Sequence, residues 1–155
     1  MGIKMNIHKK NILFLELEKE FQKIQEVILK QPFPKGFPDA LIYLLSEISA
    51  NIAEHSKAES AEIRLKIENQ KVTFVISDNG IGIRKSFLQN NNYAKDDKTA
   101  ITFALSGLST KKSNERAFGL YSIRQLVEHQ KGIMEIISGN STVKISNGKL
   151  EFFEN

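Results

Sequence analysis

The chain has 155 residues, a length that suits one domain with a sizeable core and is expected to leave no space for a second domain of ordinary size. Hydrophobic residues at 41% and charged residues at 26% are ordinary globular values, which exclude a collagenous, low-complexity or disordered chain. The absence of cysteine excludes disulfides, thiolate zinc sites and cysteine nucleophiles and makes a reducing cytoplasm the expected location; the net charge of +4, from 22 basic and 18 acidic residues, is spread rather than clustered and gives little reason to expect nucleic acid.

In chain order, the apolar segment Ile12–Leu17 reads as a strand, followed by a helix carrying Phe21, Ile24 and Ile28. Three prolines between Gln31 and Pro38 cannot continue that helix, because they lack the amide and restrict the residues before them. From Asp39 to Ser56, Leu41, Leu44, Leu45, Ile48 and Ile52 recur at helical spacing, so this segment reads as a long amphipathic helix. Ile63, Leu65 and Ile67 alternate with polar residues, as do Val72, Phe74 and Ile76 beyond Asn69-Gln70, which predicts an antiparallel hairpin. Residues 89–98 are rich in Asn, Asp and Lys and are expected to form a mobile surface loop, with Asp97 as N-cap of a helix through Ile101, Leu105 and Leu108.

A polar break at Ser109–Ala117 precedes a last helix, Phe118 to Gln130, with its start near Gly119. Short strands at Ile133–Ile137, Val143–Ile145 and Leu150–Phe153 close the chain, the last two joined by an Asn147-Gly148 turn. The element order implies an α/β (α+β) two-layer sandwich, with a mixed, mostly antiparallel sheet and helices on one face. Ile12–Leu15 and Ala40–Leu45, the longest apolar runs, are far shorter than a membrane span.

Three stretches carry candidate chemistry. Glu47, Asn51 and His55, spaced i, i+4, i+8, form one polar row roughly 75° from the centre of the apolar stripe, at the edge of the core face. Such a row can line a pocket with a carboxylate base and an amide oxygen for a hard cation, or it can be an ordinary solvated helix face. Asp78-Asn79-Gly80-Ile81-Gly82 ends a strand; two glycines without Cβ atoms allow a tight turn and close approach of a ligand, and the carboxylate can accept a hydrogen bond from an exocyclic amine. A turn without ligand is the alternative. Ser109-Thr110-Lys111, Arg116 and Gly119-Leu120 combine hydroxyls, cations and a helix start, the elements of an anion site or of a plain basic loop.

In this order and at these separations the three stretches resemble the GHKL or Bergerat-fold ATPases, a family that includes histidine kinases, anti-sigma-factor serine kinases, type II topoisomerase ATPase domains, mismatch-repair ATPases and a heat-shock chaperone. Glu47, Asn51 and His55 match the helix motif E-x-x-x-N-x-x-x-H, and Asp78, Gly80 and Gly82 match the D-x-G-x-G box. Ser109-Thr110-Lys111 and Ala117-Phe118-Gly119-Leu120 are similar to the T-T-K and G-x-G-L segments, with Ala117 where the family has glycine. The resemblance implies ATP and Mg²⁺ as cofactors, Asn51 as metal ligand, Glu47 as the residue that orients or deprotonates the nucleophile, and Asp78 as the reader of the adenine amine. It implies one histidine-kinase-like ATP-binding domain over residues 1–155, with 1–38 as an N-terminal strand, helix and Pro-rich loop and 39–155 as the nucleotide-binding core.

A transducer-like second domain is not expected at this length, and none of His8, His55 and His129 is placed as a phosphoacceptor on a helical hairpin. The remaining resemblance is to stand-alone regulators of the anti-sigma-factor serine-kinase type, whose partner would be a STAS-type or sigma-factor-like protein; homodimer formation stays open. A non-catalytic, ATP-dependent interaction module is the alternative, favoured by Ala117 as Glu47 favours the kinase. A nucleic-acid-binding protein rests on the isoelectric point of about 9.2 alone.

Overall fold

The computed structural model describes residues 3–7, 14–108 and 119–155. The chain divides into two compact units, Met1–Gly80 and Ile81–Asn155.

In the first unit, strands β1 (Ile3–Ile7), β2 (Ala61–Glu68) and β3 (Lys71–Asp78) form an antiparallel sheet in the order β1-β2-β3. The first strand lies upstream of the segment that the apolar run suggested: Phe14, Leu15 and Leu17 belong to helix α1 (Phe14–Leu29). An unbroken apolar run has no period, so it cannot by itself distinguish a strand from a buried helical turn. Helix α2 (Phe37–Asn51) starts after Gly36, which takes a positive φ of 85°, and carries Pro38 in its first turn, where a missing amide costs nothing. Phe21, Ile24 and Ile28 of α1 and Leu41 and Leu45 of α2 pack on the face of the sheet formed by Ile63, Leu65 and Ile67. Ile24 and Ile28 are completely buried, and full burial of such a side chain is worth about 1.5–3 kcal/mol. The β2–β3 turn is the expected two-residue one, with Asn69 and Gln70 both at positive φ.

In the second unit, β4 (Ile133–Ser138), β5 (Ser141–Ser146) and β6 (Lys149–Glu154) form a second antiparallel sheet in that order. Asn147 and Gly148, at φ 51° and 73°, make the turn expected of that dipeptide. Helix α4 (Asp97–Leu105) lays Ile101 and Leu105 on Val143 and Ile145, with Ile83, Met134, Ile136 and Leu150 around them. Helix α5 (Gly119–His129) buries Ile123. Both units are thus antiparallel sheets with helices packed on one face, the architecture that the Bergerat resemblance implies.

Two local expectations are corrected. A helix, α3 (Gly82–Gln89), follows the second glycine, and the segment after it is pinned rather than loose: Arg84 donates to the carbonyls of Ala94 (3.2 Å) and Lys95 (2.6 Å), and Ala94 is fully buried against Phe87 and Ala100. The N-cap of α4 is Asp96, not Asp97. Asp96 Oδ1 accepts from the Thr99 amide at 2.7 Å, and the bonds from the Thr99 side chain and backbone hold its carboxyl below the usual range. Asp97 is already occupied, since its Oδ2 accepts from the Asn140 amide at 3.0 Å across the β4–β5 turn. Leu108 lies beyond the end of α4 and is exposed.

Candidate functional site

Helix α2 turns Leu41, Leu44 and Leu45 into the core, which leaves Glu47 and Asn51 half-buried at its edge, as their angular offset requires. Glu47 makes no ion pair or hydrogen bond with another described residue. The Asn51 amide nitrogen is buried and has no hydrogen-bond partner among the described residues. A buried donor in that state costs about 1–3 kcal/mol, so a side chain that keeps one is suited to a ligand that satisfies it. Rotation about the terminal torsion presents the amide oxygen at the same place, the donor type that a hard cation takes.

Directly after Asn51 the helix widens into a π turn, Ile52–Ser56. This turn uses i→i+5 bonding and takes up more residues than an α turn, so the row holds for Glu47 and Asn51 and does not extend in strict α register to the backbone of His55. The Ser56 hydroxyl donates to the Ile52 carbonyl at 2.7 Å and accepts from the Ala58 amide at 3.1 Å, closing the turn before Lys57 reverses the chain in a left-handed conformation.

That reversal leads into β2, whose first residue, Ala61, pairs with Asp78 at the end of β3. The carboxylate and the end of the helix are therefore brought together by the sheet register. Asp78 Oδ1 accepts from the Gly80 amide at 2.8 Å, an Asx turn that fixes the carboxylate over the loop and leaves Oδ2 without a bond to any described residue. A Cβ at Gly80 would overlap the Ser56 carbonyl oxygen and lie 2.7 Å from the Ser56 Cβ. The space the first glycine opens is thus taken up by the end of the π turn, not held open for a ligand.

Within the second unit, Gly82 has φ 77° and starts α3, whose next amide, that of Ile83, donates to the Ser138 hydroxyl at 3.0 Å. Gly119 and Leu120 open α5 and are half-buried. Ser109, Thr110, Lys111, Arg116 and Ala117 lie outside the described residues. Ser56 and Asn79, which join the helix end to the Asp78 loop, were not singled out by spacing; Asn next to a strand end, with a side chain able to cap two amides, is the only local signal. Among the described residues, no group of three or more His, Cys, Asp and Glu side chains is arranged to hold a metal ion, so a cation here would depend on an amide oxygen and on its own ligands. No helix of the described residues is long and apolar enough to cross a membrane.

The pattern of the family described as histidine kinase-, DNA gyrase B-, and HSP90-like ATPase matches residues 36–149, from the loop before α2 to the start of β6. The chain belongs to that family. It is similar to the sensor histidine kinase LiaS of Bacillus subtilis (strain 168), with 30% identity over 83 residues, which is 50% of this chain and 23% of that protein. The chain therefore corresponds to less than a quarter of the length of the relative it matches. No solved structure matches significantly. In this GHKL-type domain Glu47 and Asn51 lie on a helix and Asp78 lies at a strand end.

Proposed function

We propose that this GHKL-type domain binds ATP with Mg²⁺ and acts on a partner protein in phosphorylation-based signalling, as a serine kinase of the anti-sigma-factor type or by nucleotide-dependent sequestration. The observation that carries the reading is the buried Asn51 amide nitrogen, without a hydrogen-bond partner among the described residues, one helical turn from the half-buried Glu47 on the same helix. Asn51 would hold the cation, Asp78 the adenine amine through its unengaged Oδ2, and Glu47 would orient or deprotonate the attacking hydroxyl. Mg²⁺·ATP, when bound, supplies the transferable phosphoryl group and offsets its charge. Gly82, Gly119 and Leu120, and the stretch Ser109, Thr110, Lys111 and Arg116, would complete the nucleotide contacts, and His55 would line them. The acceptor would be a STAS-type or sigma-factor-like protein in the cytoplasm.

The second reading, a switch module that binds ATP without turnover, is favoured by one observation, alanine at position 117 in place of the family's glycine, whose β-carbon disfavours a positive φ that glycine would allow. Recovery of the partner by co-purification, followed by a single-turnover assay for transfer of the γ-phosphate to it, tests the two. Transfer to a serine supports the kinase; nucleotide-dependent binding without transfer supports the switch; neither nucleotide binding nor transfer rejects both.

A further inference from the structure

The residue between Asp78 and Gly80 is engaged more fully than either. Asn79 Oδ1 accepts from two successive backbone amides, those of Glu59 (3.0 Å) and Ser60 (2.9 Å), and the Asn79 amide donates to the Ser60 carbonyl at 3.2 Å. The β2–β3 ladder ends at Ala61 and Asp78, so the Asn79–Ser60 bond extends the pairing by one step, and the side chain then caps the segment that runs back to the π turn. The stretch Lys57–Ser60 is otherwise without regular structure, and Glu59 and Asn79 are both exposed. A peptide segment in that position would exchange freely with water unless something held it.

We propose that Asn79 is a positioning residue for nucleotide-base selection: by tying residues 59 and 60 to the end of β3, it holds the Asp78 carboxylate in place to receive the exocyclic amine of adenine. The inference rests on the reading of Asp78 given above and names the residue that makes it selective. Asp78 itself has one oxygen committed to Gly80, and the peptide that carries it is flanked on its C-terminal side by the residue making three bonds to the neighbouring segment. A carboxylate already fixed in direction pays less ordering entropy when it meets its partner, and that saving applies to ligands that use the carboxylate and to no others.

Of the Asn79 side chain, the oxygen alone bonds to the described residues, so the role has a chemical signature. Asn79→Asp keeps that oxygen and should keep the function. Asn79→Leu, of similar size, leaves both amides to water and should lose it.

The test is calorimetric titration of wild type, Asp78→Asn, Asn79→Asp and Asn79→Leu with two nucleotides, ATP and inosine triphosphate, which has an oxo group in place of the amine. Wild type should prefer ATP. Asn79→Leu should weaken ATP by about 10-fold and leave inosine triphosphate unchanged, so that the preference shrinks, and Asn79→Asp should restore it. Equal weakening of both nucleotides by Asn79→Leu, or an unchanged preference while Asp78→Asn does reduce it, overturns the positioning role and leaves the Asp78 reading intact. Absence of any ATP preference in wild type, or an Asp78→Asn variant that keeps the full wild-type preference, overturns the Asp78 reading and this inference with it. Should Asn79→Leu fail to fold, Asn79→Ser, whose shorter side chain cannot span both amides, gives the same comparison.

Discussion

Gly80 lies against Ser56 so closely that a β-carbon at position 80 would overlap the Ser56 carbonyl oxygen. The backbone conformation of Gly80 is not in the left-handed region, so the requirement for glycine at this position is one of space alone. The end of the helix that carries Glu47 and Asn51 is seated in this way on the loop that carries Asp78, and a substitution at one is felt at the other.

Gly80→Ala should therefore separate two segments that each hold a candidate site residue. Overpacking of this kind costs about 1–3 kcal/mol, because the opposing atom is backbone and cannot rotate away. Urea denaturation should show the loss of stability, and ATP affinity should fall with it; an alanine variant of unchanged stability would contradict the close contact.

Asp78→Asn keeps the oxygen that accepts from Gly80 and replaces the unengaged one by an amide nitrogen, so the turn should survive and the adenine contact should not. Loss of a charge-assisted hydrogen bond costs about 1.5–3 kcal/mol, roughly 10- to 100-fold in affinity. Calorimetry on the folded variant measures it, and unchanged affinity would remove Asp78 from the site.

At Asn51 stability and function should move in opposite directions. Asn51→Leu replaces an amide whose nitrogen is buried and unpartnered among the described residues, so thermal unfolding without nucleotide should show equal stability or a gain of up to about 1–3 kcal/mol. The Mg²⁺-dependent part of ATP affinity should disappear, leaving a metal-free component. Parallel titrations with and without Mg²⁺ that respond equally to the substitution would argue against a ligand role.

Glu47→Gln keeps the size and half-buried position of the side chain and removes its basicity. ATP affinity should stay near wild type while phosphoryl transfer or hydrolysis drops by roughly 10²- to 10⁴-fold. If wild type itself shows no turnover above background, with or without its partner, the switch reading gains; an active wild type indifferent to the change would reject Glu47 as the base.

The N-cap of α4 gives the second unit a pH dependence. Hydrogen bonds from Thr99 depress the Asp96 carboxyl, so its contribution to stability is present above the ordinary carboxylate value and is lost as the pH falls through the lower, folded value. Acid titration of thermal stability should show a decline in that range, and Asp96→Asn, which keeps a capping oxygen without the ionisation, should flatten it. An identical acid profile for both proteins would show that other carboxylates dominate.

The amino-acid sequence by itself determined the elements whose signals are local. The stripe of α2, the 61–78 hairpin and the Asn147-Gly148 turn depend on residues a few positions apart, where helical period, alternation and turn chemistry act directly. The motif residues Glu47, Asn51 and Asp78 could be read in the same way, and their elements are those expected. Tertiary structure alone decided the rest. Whether Phe14–Leu17 was strand or helix depended on β1 pairing with β2 far along the chain, and which of two adjacent aspartates capped α4 depended on Asn140 claiming Asp97. The missing Cβ of Gly80 looked like an opening for a ligand until the fold placed Ser56 against it, and Asn79 acquired a role only through amides 19 and 20 residues away. Steric exclusion and hydrogen bonding act through space at a few ångströms, and a spacing pattern reports them only when the partners are also near in sequence.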